Sequence, residues 1–94
     1  MSNDVLRDSI EKVANKYVQN NVKVTVYKPY SRAFVYILQI EYNNLAVSYK
    51  LHPRYCMYES YILRVVSDLC KHIAGVTNKD RDYYFKKENE NEII

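Results

Sequence analysis

Residues 32–51, RAFVYILQIEY-NN-LAVSYKL, leave this chain little choice of local fold. On both sides of Asn43-Asn44 apolar or aromatic side chains recur at every second position, the period of a strand with one buried face. Asparagine tolerates the positive φ that tight two-residue hairpin turns require, and both central residues are expected to adopt it. Closing the turn there sets the register. Tyr42 faces Leu45, Ile40 faces Val47, Leu38 faces Tyr49 and Tyr36 faces Leu51, all on one side. Glu41 then faces Ala46, Gln39 faces Ser48 and Ile37 faces Lys50 on the other. A slip of one residue would bury Glu41 and Gln39, so the pattern admits one register.

The flanking segments complete an α-β-β-β-α order. In residues 4–20, Leu6, Ile10, Val13, Ala14, Tyr17 and Val18 recur at helical spacing. Arg7, Lys12, Asn15, Lys16 and Gln19 take the opposite face. Ser2 or Asn3 is placed to cap this helix, and Asn20-Asn21 to stop it. Residues 22–27, VKVTVY, alternate as a half-buried strand, and Pro29 closes it with a turn over 28–31. Pro53 suits the first position of a second helix spanning 53–74. Its buried stripe is expected to be Tyr58, Ile62, Val65, Val66, Leu69 and Ile73, with Gly75 as the terminator. The expected architecture is α+β: a three-stranded antiparallel meander with both helices on one face. One domain over residues 1–76 is followed by a flexible, charged C-terminal tail over 77–94. That tail carries an aromatic knot, Tyr83, Tyr84 and Phe85, read either as a short helix docked on the domain or as a tether for a partner.

Composition narrows the function classes. A chain of 94 residues makes one domain. A single glycine, Gly75, argues against the glycine-rich loops that cradle phosphates or shape oxyanion holes. His52 and Cys56 stand four apart at a helix start, a spacing that brings a thiol near an imidazole. With no oxyanion loop beside them, they read as a helix-start histidine and a packed thiol. Cys56 and Cys70 would lie about 21 Å apart along one helix, too far for a disulfide or a shared zinc ion. No paired carboxylates, metal-ligand spacing or nucleotide-binding motif is present, so no catalytic residue, metal or cofactor is assigned and the chain is read as a non-enzyme. Two reduced cysteines, and an N-terminus unlike a signal peptide, point to the cytoplasm, or the host cytoplasm if the source is viral. Lys, Asn, Ile and Tyr are used heavily, as an A+T-rich genome dictates, so a low-GC bacterium or a virus or phage infecting one is the expected source.

Two surfaces emerge from the register. The meander brings the turn after the first strand beside the end of the third. Lys28, Tyr30, Arg32, Lys50, His52, Arg54 and Tyr55 then gather on one edge, with no Asp or Glu in either segment. A basic-aromatic edge holding a helix N-terminus suits phosphates, nucleic acid or an acidic protein surface. The sheet face away from the helices carries Tyr27, Val35 and Ile37, apolar where water is expected. The order of elements over residues 4–75 resembles that of the double-stranded RNA-binding domain. Where that family places a Gly-Pro-x-His loop, this chain has Lys28-Pro29-Tyr30-Ser31. Where it has a lysine-rich helix start, this chain has Pro53-Arg54-Tyr55-Cys56-Met57. No residue role carries over. With eleven tyrosines and no catalytic set, the expected function is a non-catalytic protein-binding module, an adaptor or stoichiometric inhibitor. Nucleic-acid binding at the basic edge is the alternative. A homodimer through the open sheet face is a further expectation, and no membrane partner is expected.

Overall fold

The computed structural model describes residues 4–86. In chain order it contains α1 (Val5–Asn15), β1 (Lys23–Tyr27), β2 (Ile37–Tyr42), β3 (Leu45–Lys50), α2 (Glu59–Thr77) and a 3-10 turn (Arg81–Tyr83). The strands form one antiparallel sheet in the order β1-β2-β3. Six of the seven expected pairs form the β2–β3 ladder, from Tyr42 opposite Leu45 to Ile37 opposite Lys50, and the Leu51 N–H bond to Tyr36 O continues the register past the strand ends. The turn needs less of its asparagines than expected. Asn43 has φ 55° and Asn44 stays at negative φ, a combination that two-residue hairpin turns also allow. β2 starts at Ile37, not at Arg32. Phe34 lies in the loop before it and stands 90% exposed.

Alternation makes the sheet one-sided. Val24, Val26, Leu38 and Ile40 are buried, and between them Thr25, Ile37 and Gln39 are only half-buried. The buried row meets Ile10 and Ala14 of α1 and Ile62, Val65, Val66, Leu69, Cys70 and Ile73 of α2. α1 packs on β1, α2 on β3, and the helices on each other. The core therefore lies between one sheet face and two helices, as the apolar periodicities require.

Both helices differ from the sequence reading at their ends. α1 is capped by Asp4, whose Oδ1 accepts the Arg7 N–H at 3.0 Å; Ser2 and Asn3 lie outside the described residues. It stops at Asn15, not at Asn20. Tyr17 and Val18 are buried all the same, because a later part of the chain covers them. Gln19 N–H donates to Tyr84 O and Lys86 N–H to Tyr17 O, each at 2.8 Å, and Val18 forms an antiparallel bridge with Phe85. α2 begins at Glu59, six residues after Pro53. Residues 53–57 are a run of turns in which Tyr55 N–H donates to His52 O and Tyr58 N–H to Tyr55 O, each at 3.0 Å. Tyr58, expected in the buried stripe, is the extended N-cap residue and stands 58% exposed. Cys70 and Ala74, outside the expected stripe, are buried as well.

Gly75 does not end α2. The helix continues to Thr77, and Asn78 closes it at φ 60°, in the left-handed conformation. A Cβ on Gly75 would meet nothing within 4 Å. Gly75→Ala should therefore stabilise the protein by about 0.5–1 kcal/mol through helix propensity, read as a higher melting temperature.

The aromatic knot is docked on the domain. Tyr84 is 0% exposed, with its ring 5.0 Å from Tyr42 and 4.8 Å from Tyr83, edge-on to both. Its hydroxyl lies 2.7 Å from Thr77 Oγ1. Phe85 stacks on Tyr17 at 6.3 Å. Arg81 lies over the Phe85 ring at 4.6 Å and donates to Ser67 Oγ at 2.6 Å. The charged stretch 87–94, expected to be flexible, lies outside the described residues.

Two carboxylates tie the helix starts to the rest of the fold. Tyr36 Oη donates to Asp4 at 2.7 Å, and Glu59 accepts from Tyr17 Oη and Lys16 Nζ. These hydrogen bonds hold both carboxyl groups below their ordinary pKa values. A depressed folded pKa means that the unfolded chain binds more protons in acid, so stability rises with pH there. Both contributions are present above the unfolded carboxylate range and vanish as pH falls through the depressed folded values. Urea midpoints should thus be level near neutrality and drop below about pH 4. Asp4→Asn with Glu59→Gln should flatten that acid limb.

Candidate binding surface

The register brings the two segments of the expected edge to one end of the sheet. Tyr27, Ile37 and Lys50 form one row across the strands. In the next row Leu51 N–H donates to Tyr36 O at 2.9 Å, and Lys28 Nζ sits 5.5 Å above the Tyr36 ring. Burial and the bond to Asp4 push the Tyr36 phenol up to about 12, so it remains a neutral donor. Lys28, Tyr30, Arg32, Lys50, His52, Arg54 and Tyr55 are all exposed.

Direct contacts join only part of this set. His52 Nδ1 accepts the Arg54 N–H at 3.1 Å, and the His52 and Tyr55 rings are 4.8 Å apart. Tyr30 and Arg32 stay in the preceding turn, where Tyr30 O accepts the Ala33 N–H at 3.0 Å. Two features expected of an anion site are different in the structure. The edge is not free of acid, because α1 brings Asp4 against Tyr36 and Lys28 lowers its pKa. Nor does α2 open at Pro53: it begins at Glu59, whose carboxylate is paired with Lys16 at 2.9 Å. The helix N-terminus at this edge is that of α1, and Asp4 already caps it.

The late start of α2 builds a different surface. Had the helix begun at Pro53, Tyr55 and Tyr58 would have stood three residues apart on one helical face. The turns instead swing both rings outward. Tyr55 lies 5.7 Å from Tyr61 and 6.5 Å from Tyr58, ring centre to ring centre. Tyr61 is fixed from below, its hydroxyl accepting the His52 N–H at 2.9 Å. Tyr55, Tyr58, Ser60, Tyr61 and Arg64 line an open cleft of about 340 Å³. Met57 beside it is 71% exposed. Composition had signalled surplus tyrosine but not where it would collect.

The open sheet face is less apolar than expected. Tyr27 is exposed, while Val35, in the loop before β2, and Ile37 are half-buried. Sequence reasoning missed Phe34, the more exposed aromatic next to them. The cysteine-histidine pair does not assemble as a nucleophile. Cys56 Sγ donates to Pro53 O at 3.5 Å, burial raises its pKa, and His52 Nδ1 is occupied by Arg54 N–H. Cys70 is more deeply buried, with a thiol pushed up to about 12. Among the described residues no three His, Cys, Asp or Glu side chains come together as a metal site. No helix among them is long and apolar enough to cross a membrane.

The fold and surface define a small α+β domain with an exposed tyrosine-arginine cleft. No protein-family model, curated protein or solved structure matches the chain.

Proposed function

We propose that this protein is a small non-catalytic protein-binding module, an adaptor or stoichiometric inhibitor, whose contact surface is the cleft of Tyr55, Tyr58, Tyr61 and Arg64. The observation that carries the reading is the ring cluster itself: Tyr55 in contact with both Tyr58 and Tyr61, Arg64 in the same cleft wall, and Met57 exposed next to Tyr58 in the chain. Tyr, Arg and Met are the residues enriched where protein partners meet. Tyrosine adds large contact area at little entropic cost, and rings already packed on one another lose little more on binding. Arg64 in the cleft wall favours an acidic partner surface. Buried, unpaired Cys56 and Cys70 agree with work in a cytoplasm, where thiols stay reduced. The A+T-rich residue usage supports a viral or phage source.

The test is affinity purification from the source cell, with and without nuclease, using wild-type protein, Tyr55→Ala and Arg64→Ala. The expected result is one protein retained after nuclease treatment, with each substitution weakening its capture roughly tenfold or more. Both variants should keep the wild-type circular dichroism, since neither side chain is in the core. Capture abolished by nuclease would replace this reading with stacking of nucleotide bases on the same rings. Equal capture by both variants would remove the cleft from the reading.

A further inference from the structure

The two edges of the sheet are treated differently. On β1, the outward backbone groups of Val26 are both taken by α1: Glu11 Oε2 accepts its N–H at 3.1 Å, and Arg7 Nη1 donates to its carbonyl at 3.3 Å. An ion pair between Glu11 and Arg7 holds the guard in place. Among the described residues nothing comparable guards β3. Leu51 N–H bonds to Tyr36 O, so the alternation of an antiparallel ladder makes 36/51, 38/49, 40/47 and 42/45 the hydrogen-bonded pairs. The N–H and C=O of Ala46, Ser48 and Lys50 therefore point away from β2. β3 is the outer strand, and among the described residues no strand lies beyond it. His52 would be next in this row, but its N–H is taken by Tyr61. The free edge thus ends at Lys50. A protein that blocks one edge at Val26 and leaves the other as an unguarded row of donors and acceptors has an edge suited to pairing.

We infer that β3 pairs with β3 of a second copy, antiparallel about a two-fold axis at Ser48, to give a continuous six-stranded sheet. The register follows from the residues. Centring on Lys50 would set two lysines face to face. Centring on Tyr49 would spend Ala46 on the already bonded His52, and centring on Val47 would leave Lys50 opposite the hairpin turn. Centring on Ser48 uses all three free residues of both strands: Ser48 meets Ser48, and each Ala46 meets a Lys50. No like charges are opposed. The intervening non-hydrogen-bonded pairs, where side chains approach most closely, set Val47 of one copy against Tyr49 of the other, twice. An aromatic ring against a β-branched side chain is a favourable cross-strand pair. It would cover the exposed ring of Tyr49. The inference does not depend on the tyrosine cleft or on any other partner.

Sedimentation equilibrium of the full chain over micromolar to hundred-micromolar concentrations tests it, with the monomer mass at 11.2 kDa. The expected result is a monomer–dimer equilibrium that Ser48→Pro abolishes while circular dichroism is retained, since proline removes an N–H that β2 does not use. Charge at position 46 tests the register even if the proline variant fails to fold. Ala46→Glu faces Lys50 of the other copy and should tighten the dimer, and Ala46→Lys should weaken it, each by roughly fivefold over two symmetric pairs. Within the monomer residue 46 faces Glu41, so the melting temperature of the dilute protein should move the opposite way, up for lysine and down for glutamate. A single 11.2 kDa species at every concentration overturns the inference. So does a dimer that Ser48→Pro leaves intact, or one that the two Ala46 variants do not shift in opposite directions.

Discussion

Replacing Tyr84 with alanine should cost about 3–5 kcal/mol, the range for removing a fully buried aromatic ring. A small domain has about 5–15 kcal/mol in all, so this one change in the C-terminal segment should leave the protein marginal. The reason lies in what the ring joins. Tyr84 sits edge-on to Tyr42 of β2 and Tyr83, while its backbone carbonyl accepts the Gln19 N–H. Alanine would leave a cavity shared by sheet, α2 and the segment after α1, with little freedom to collapse. Tyr84→Phe separates the two parts of the effect. It keeps the ring and leaves Thr77 Oγ1 its bond to Ile73 O, so it should cost only about 1 kcal/mol. Equilibrium urea unfolding measures both. A loss below about 1 kcal/mol for Tyr84→Ala would mean that residues 81–86 are not packed on the domain.

Glu11→Ala should cost about 1–3 kcal/mol and also change solution behaviour. The stability loss comes from the Val26 N–H, left without its acceptor at the flank of the core. The second effect comes from the edge. Without Glu11, Arg7 keeps Asp8 as an acidic partner, and β1 presents the Val26 N–H as open as those of β3. A sheet with two open edges can extend from both sides, and higher oligomers or precipitation should appear at concentrations where the wild type stays discrete. Glu11→Gln retains an amide oxygen to accept the Val26 N–H and should restore most of both properties. Light scattering and urea unfolding on the three proteins separate the outcomes. If Glu11→Ala behaves as wild type in both, the contact with Val26 has no protective role.

The residues that mattered most were legible to different degrees. Tyr36, Leu38, Ile40 and Tyr42 announced their strand and its partner register because a hairpin is a local structure with one turn and a period of two. Ile62, Val65, Val66, Leu69 and Ile73 announced their helix for the same reason. The helical spacing puts Arg7 on the polar face of its helix and gives Glu11 no role. Their task depends on β1 passing within reach, which no helical periodicity records. Tyr58 was misassigned because its spacing from Ile62 fits a helical stripe, whereas Tyr58 is the extended residue before the helix begins. The tyrosine cleft follows from that late start, so it was hidden along with it.

Sequence alone thus determined the one-sided meander, its register and the helix faces, since each rests on side chains near one another along the chain. Tertiary structure decided where the helices end, what covers Tyr17 and Val18, which sheet edge carries a guard and where the surplus tyrosines gather. Each of these depends on a contact between distant segments: Tyr84 with Gln19, Glu11 with Val26, His52 with Tyr61. A lone backbone N–H or hydroxyl finds such a partner only after the core has brought the two segments together, and its need leaves no mark on local hydrophobic spacing.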